Sequence, residues 1–330
     1  DVAVLVPRNA PRHIKAVLRA LRKNDETLSL TTSVTSSLVN GTVEDVLATC
    51  LDLATPLPQR SLGVLALFVE GDDDTSKEQR AKLKELSTVA GGALYRDYVR
   101  SERRGIADVL VDFDRCSPTL EALVDACPRL RPRHYSIASC STDTIELCVA
   151  RALLETPLGR KVYGLCSSWL CDLREGTLLI GVRRGEFSAI NEDPLVFVGP
   201  GTGVAPFRGF LQRREARLRE AAAGEDELGD TAKNEDARGK WWLFFGCRAP
   251  EEDYLYREDL ERFVRDGTLD ELTVAFSRVR SRSGAGGSSQ EGKRYVQHEM
   301  ADRAAEVDLR KLRRLVVLPT RSRCSATISI

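Results

Sequence analysis

Residues 196–210 read VFVGPGTGVAPFRGF, an apolar run that ends in glycines around Thr202 and continues into a segment able to open a helix near Pro206. In such a place the backbone N–H groups of Gly201, Thr202 and Gly203 and one hydroxyl can face outward, beside a helix start whose dipole favours an anion. No Gly-Lys-Ser/Thr follows, which disfavours a nucleoside triphosphate with Mg²⁺. Gly201 and Gly203 supply G-x-G, but Pro206 stands where the dinucleotide fingerprint has its third glycine. Two readings stay open at this point: a pyrophosphate seat, or a tight strand-to-helix turn whose glycines serve only positive φ.

Further along, "AFSR" puts Ser277 and Arg278 at the carboxyl end of another expected strand, and "KRYVQ" supplies Lys293, Tyr295 and Gln297. A guanidinium fork and a hydroxyl can hold a 2′-phosphate, and a tyrosine face can stack on adenine, which together describe NADPH. An acid gripping a ribose 2′-hydroxyl would mark NADH instead. In "RPRHYSIAS", strand alternation sends Arg133 and Tyr135 to one face, with Ser136 next. That pair suits a phosphate and a flat heterocycle, and it equally suits plain packing. "YGLCSSWL" offers Gly164 and then Cys166 and Ser167 at a helix start, a second anion seat. Two seats in different parts of the chain imply two nucleotides.

The elements that must carry these residues show in the pattern. Helical periodicity runs from Pro11 to about Cys127: "RHIKAVLRALRK" has an apolar face, Thr42 opens "TVEDVLATCLDLA" with an acid three positions on, and "TSKEQRAKLKELSTVAGG" ends on glycines. From Arg131 to about Phe187 the period shortens to strands, "RHYSIASC", "IELCVA" and "TLLIGVRRG", as in a small antiparallel barrel. After Asn191, strands and helices alternate, which predicts a doubly wound parallel sheet. The expected organisation is an antiparallel β-barrel at 1–10 and 128–190, a helical insertion at 11–127 and an α/β domain at 191–330. The acidic stretch 224–239 and the Gly/Ser-rich stretch 280–292 are expected to be surface loops.

Composition narrows the classes. The chain of 330 residues has 49 basic and 49 acidic side chains, so no net field draws nucleic acid or an anionic membrane surface. Nine cysteines without a C-x-x-C pair, and three histidines far from them, fit neither a disulfide framework nor a zinc site. They read as small core residues in a reducing compartment. The apolar run LGVLALFV falls short of the ~20 residues needed to span a bilayer. The chain opens directly on a strand-like run, DVAVLVPRN, and is expected to begin inside a domain.

The ordered series RPRHYSIAS, GLCSSWL, GPGTGVAPFRGFLQ, LFFGCR, DYLYREDLE, AFSR and KRYVQH resembles the FAD/NADPH half of the diflavin reductases, itself similar to ferredoxin–NADP reductase. The resemblance implies that Arg133 binds the FAD pyrophosphate, Tyr135 packs on the isoalloxazine and Ser136 assists hydride transfer as the catalytic residue. It places Cys148 and Val149 beside the flavin, and Gly164, Leu165, Cys166 and Ser167 around its phosphates. It assigns Thr202 to the nicotinamide coenzyme, and Ser277, Arg278, Lys293, Tyr295 and Gln297 to the 2′-phosphate. It implies NADPH and FAD as cofactors, FMN in a further domain, and a cytoplasmic electron-transfer protein passing electrons through an FMN domain to an iron–sulfur or other redox protein. Within the family, RRGIADVLVDF, GLCSSWL and VRRGEF most resemble the branch of cytosolic iron–sulfur assembly, followed by methionine synthase reductase. Transfer of the cytochrome P450 reductase kind, a stand-alone reductase with a separate flavodoxin or ferredoxin, and a nucleotide-binding module without turnover are the rivals. The tail, RRLVVLPTRSRCSATISI, matches no family motif, so the acid, cysteine and aromatic residue expected there have no counterpart to name.

Overall fold

The structure, a computed structural model, describes residues 1–21, 42–141, 143–185, 193–225, 239–278, 293–306, 314–317 and 325–329. Most of the acidic stretch and the Gly/Ser-rich stretch lie outside the described residues. The strands in chain order are β1 (Val2–Leu5), β2 (Arg133–Ser136), β3 (Glu146–Ala150), β4 (Leu153–Glu155), β5 (Lys161–Tyr163), β6 (Ile180–Arg183), β7 (Leu195–Pro200), β8 (Trp241–Cys247), β9 (Glu271–Phe276), β10 (Arg314–Val317) and β11 (Ser325–Ser329). The chain divides into two compact units, and the residues expected to form the barrel are shared between them.

One unit comprises residues 5–133 and 153–179. Its helices form where the sequence places caps and apolar faces. Thr42 accepts from the Asp45 N–H at 3.1 Å while the Asp45 carboxylate accepts from the Thr42 N–H at 3.0 Å, closing a capping box on the helix Val43–Thr49. Asp73 and Thr119 cap Asp74–Ser87 and Leu120–Ala126 by accepting from the N–H groups of Ser76 and Ala122. The apolar faces, among them Val17, Leu47, Leu62, Leu83 and Leu123, close one continuous core whose burial is the main stabilising term. Asn9 ties the link after β1 to this core, its Nδ2 donating to the carbonyls of Leu47 at 2.8 Å and Leu51 at 2.5 Å. β4 and β5 pair antiparallel, and the helix Leu165–Asp172 follows β5.

The other unit comprises residues 1–4, 134–152 and 180–330. Its centre is a four-stranded sheet in the order β10–β7–β8–β9, with all three pairings parallel. The strands read as nearly unbroken apolar runs because both faces are covered. Phe197, Leu243 and Phe245 face Phe207, Leu211, Leu260 and Phe263 from the helices Ala205–Glu225 and Arg257–Arg265. Val196, Val198 and Phe244 face Val296 from the helix Val296–Asp302. Phe197 stacks on Phe207 at 4.7 Å between centroids and meets Trp241 edge-on at 5.3 Å.

The antiparallel part differs from the expectation of a barrel. β2, β1 and β6 form one sheet, β3 pairs antiparallel with β11, and β4 pairs with β5, so no closed barrel forms among the described residues. Strands of three to five residues make few ladder bonds each. Only a single bridge, Ile137 to Leu147, joins the end of β2 to β3.

Candidate nucleotide-binding sites

In the parallel sheet, β8 and β9 lie on one side of β7 and β10 on the other, so the strand order reverses at β7. Ligands of open α/β sheets bind outside the carboxyl end of the strands at such a switch point. The loop leaving β7 there is the glycine loop. It turns through a 3₁₀ segment, Gly201–Val204, directly into the helix Ala205–Glu225. Gly201 takes φ +55°, open to glycine at little cost. A Cβ at Gly199 would lie 2.8 Å from Phe207 Cε2 and 2.9 Å from the Gly203 carbonyl oxygen, so the loop folds back only over bare backbone. Thr202 is half-buried in the turn.

Ser277 and Arg278 follow β9, and their N–H groups donate to the carbonyls of Cys247 and Arg248, each at 2.9 Å. The Arg294 N–H donates to the Phe276 carbonyl at 3.1 Å, which brings Lys293 and Tyr295 beside the end of β9. Arg278, Lys293, Tyr295 and Gln297 are all exposed. The Ser277 hydroxyl donates to the Cys247 carbonyl at 3.2 Å. Arg294 is held by Glu299 at 2.5 Å and by Asp302. Tyr295 starts the helix Val296–Asp302, and its ring meets His298 edge-on at 5.7 Å.

The segment from β2 to β3, drawn into a loose hairpin by the Ile137–Leu147 bridge and the Ala138 N–H donating to the Glu146 carbonyl at 2.8 Å, carries the residues expected near a flavin. Tyr135 and Ser136 are half-buried. Cys148 is buried among Ala138, Ala205 and Tyr256; burial pushes its thiol up to about 11, with the nearby Tyr256 hydroxyl and Arg208 acting in the opposite direction. Val149 is fully buried. Burial likewise holds Cys116, Cys127 and Cys247 at about 12, which leaves these thiols protonated and unreactive.

Two cavities lie in the helical unit among the described residues. One, of about 240 Å³, is lined by Arg8, Asn9, His13, Gly164, Ser168 and Trp169. The second, of about 320 Å³, is lined by Arg12, His13, Arg103, Asp108, Arg160 and Tyr163. Gly164 begins the helix Leu165–Asp172, whose first turn presents the N–H groups of Leu165, Cys166 and Ser167. The Cys166 side chain is buried, and the Ser167 hydroxyl donates to the Gly164 carbonyl at 3.3 Å, so both can serve a ligand through backbone N–H.

His13 lines both cavities. Its Nε2 accepts from Arg12 Nε at 3.3 Å, which puts the imidazole proton on Nδ1, a buried atom with no partner among the described residues. The Ser168 hydroxyl is buried without a partner as well. Burial first, and then Arg12, hold His13 below its ordinary value, so the ring is neutral. Two unsatisfied donors, aromatic walls and several arginines fit a phosphorylated ligand with a flat ring. Arg133 sits at the start of β2, with Nη1 donating to the Arg131 carbonyl at 2.6 Å. The sequence pattern did not single out Arg8, Asn9, His13, Asp52, Arg103 or Trp169. The only local signal was VPRNAPRH, which crowds cations, an amide and an imidazole into the link between β1 and the first helix.

Residues 1–169 match the family described as "FAD binding domain", and residues 197–317 match "Oxidoreductase NAD-binding domain". The chain is similar to "NADPH--cytochrome P450 reductase" of Mus musculus and of Homo sapiens, each 35% identical over 260 residues, and of Oryctolagus cuniculus, 37% identical over 260 residues. These matches cover 75% of this chain and 34% of each relative, so the chain spans about a third of the length of the curated relatives it matches.

Proposed function

The chain belongs to the FAD- and NADPH-binding half of the diflavin reductases, and from that premise we propose that it takes a hydride from NADPH onto FAD and passes the electrons onward. The observation that carries this reading is the glycine loop at the switch point of the parallel sheet, with Arg278 exposed at the end of β9 in that same sheet. NADPH supplies two electrons as a hydride, and FAD accepts them; this chain's residues bind, orient and exclude water.

In this reading Gly201, Thr202 and Gly203 hold the pyrophosphate and nicotinamide end of the coenzyme, while Arg278, Lys293, Tyr295, Gln297 and Ser277 read its 2′-phosphate. Arg133, Gly164, Leu165, Cys166 and Ser167 hold the FAD phosphates. Tyr135, Ser136, Cys148 and Val149 border the flavin, and Ser136 hydrogen-bonds near the atom that receives the hydride. We extend the FAD set to His13 Nδ1 and Ser168, the two buried donors that a ligand would satisfy. The partners are an FMN domain and an iron–sulfur protein in the cytoplasm. RRGIADVLVDF and GLCSSWL support that acceptor, and cytochrome P450, the acceptor in the relatives' names, is the second reading. Among the described residues no helix is long and apolar enough to cross a membrane.

The test is direct. The purified chain, mixed with FAD and freed of excess, should be yellow and reduce ferricyanide with NADPH. A chain that retains no flavin and reduces nothing overturns the reading.

A further inference from the structure

Downstream of the glycine loop, the sequence PFRGFLQ does work that coenzyme binding does not require. Arg208, in the first turn of the helix Ala205–Glu225, has a side chain only 11% exposed. Its Nη1 donates to the Ala138 carbonyl at 3.0 Å and pairs with Glu146; its Nε donates to Asp259 at 2.6 Å. The guanidinium lies 4.7 Å over the Tyr256 ring. One residue later, a Cβ at Gly209 would come within 3.2 Å of the Ser139 carbonyl oxygen, so the missing side chain lets helix and hairpin backbones meet. One turn beyond Arg208, the Gln212 side-chain oxygen accepts from the Cys140 N–H at 3.0 Å.

Apart from Asp259 and Tyr256, these partners lie on the hairpin. Ala138, Ser139 and Cys140 follow Ser136 directly, and Glu146 begins the strand that carries Cys148. Tyr256 completes the arrangement. It holds φ +54°, a costly conformation for a residue with a Cβ, and its ring packs with Ala138, Cys148 and Ala205. Packing alone would be met by an apolar side chain, because burying an ion pair rarely adds stability over a hydrophobic substitute. A guanidinium bonded to a carbonyl and two carboxylates from three separate segments fixes position instead, since its donors have a rigid fork.

We infer that Arg208 and Tyr256 are positioning residues that fix the hairpin bearing Tyr135, Ser136 and Cys148 to the helix springing from the nicotinamide loop. They thereby set the distance the hydride crosses. The inference rests on the function proposed above. It also gives a role to DYLYREDLE, which supplies both Tyr256 and Asp259.

Arg208→Lys, Arg208→Gln and Tyr256→Phe are compared with wild type and with Arg219→Ala, an exposed position on the same helix. Two measurements are made. In the chain without FAD, hydrogen exchange of the amides at 138–140 and 146–148 should quicken by about tenfold in Arg208→Gln, with β7 and β8 unchanged. In the FAD-loaded chain, the single-turnover rate of flavin reduction should fall on the order of 10- to 100-fold, while NADPH affinity and FAD retention move less than about threefold. Lysine should recover only part of that rate, because it keeps the charge and loses the fork. Tyr256→Phe removes the hydroxyl beside Cys148 while keeping the ring, and should show a smaller loss in the same direction. Unchanged hairpin exchange in Arg208→Gln overturns the inference, as does a rate loss matched by an equal loss of NADPH affinity. A wild-type chain that NADPH does not reduce sinks the proposed function, and the exchange measurement then decides the positioning role by itself.

Discussion

The Arg133 guanidinium stands 4.0 Å from the carboxylate of Asp52, whose side chain is only 6% exposed. Asp52 is itself held by the N–H groups of Ala54 and Thr55, at 3.2 and 2.9 Å, and by the Thr55 hydroxyl at 2.7 Å. A cation expected to meet a pyrophosphate therefore stands beside a fixed anion that opposes the ligand's charge. Asp52→Asn keeps an acceptor for those N–H groups and removes the charge. Its FAD affinity should rise by a few-fold, the scale of ~1 kcal/mol for charges near a wet surface. Titration of the chain with FAD measures this, and weaker binding would mean that Asp52 acts chiefly by orienting Arg133.

Arg278 is exposed at the end of β9, beside Lys293 and Tyr295. Arg278→Ala should weaken NADPH by about 1.5–3 kcal/mol, a charge-assisted bond to phosphate, and leave NADH nearly untouched. Michaelis constants for the two coenzymes give the ratio. Equal weakening of both would remove Arg278 from the 2′-phosphate site.

His13 titrates below its ordinary value of 6.5 because it is buried beside Arg12. The folded chain thus takes up its proton at a lower pH than the unfolded chain does. This residue costs no stability above about pH 6.5, and the cost grows as pH falls from there through the lowered folded value. In urea denaturation without FAD, wild type should lose more stability between pH 8 and pH 5 than His13→Gln, which cannot titrate. Parallel losses in the two proteins would contradict the assignment.

Gly199→Ala places a methyl 2.8 Å from Phe207 Cε2 and 2.9 Å from the Gly203 carbonyl oxygen. Overpacking of that kind costs about 1–3 kcal/mol, and here it also opens the glycine loop. A lowered thermal midpoint together with poorer NADPH binding is expected, with FAD retention changed much less. Loss of FAD affinity alone would not fit this geometry.

The parallel sheet was legible because strands buried on both faces print as apolar runs, and the Thr42 cap because its partner lies three residues away. The glycine loop could be located from residue types, but its place at the switch point depends on β10 pairing with β7, more than a hundred residues downstream. The cavities around His13 stayed hidden for the same reason. Asn9 holds their wall to carbonyls 38 and 42 residues away, and no local period records that. The type of Ser277 suggests a hydroxyl donor, but not that its proton rests on a carbonyl 30 residues back. Strands as short as β4 and β5 follow their neighbours more than their own composition, which is why a barrel could be expected from pattern and not be closed among the described residues.

The 3₁₀ turn Gly201–Val204 runs into the helix Ala205–Glu225 without a break, so loop and helix share one angular phase. An α-helix advances about 100° per residue. A single residue inserted between Thr202 and Arg208 would swing Arg208 and Gln212 a quarter-turn or more off the hairpin even if the coenzyme loop kept its shape. Change in this segment can come by substitution, whereas any change in its length detunes two functions at once.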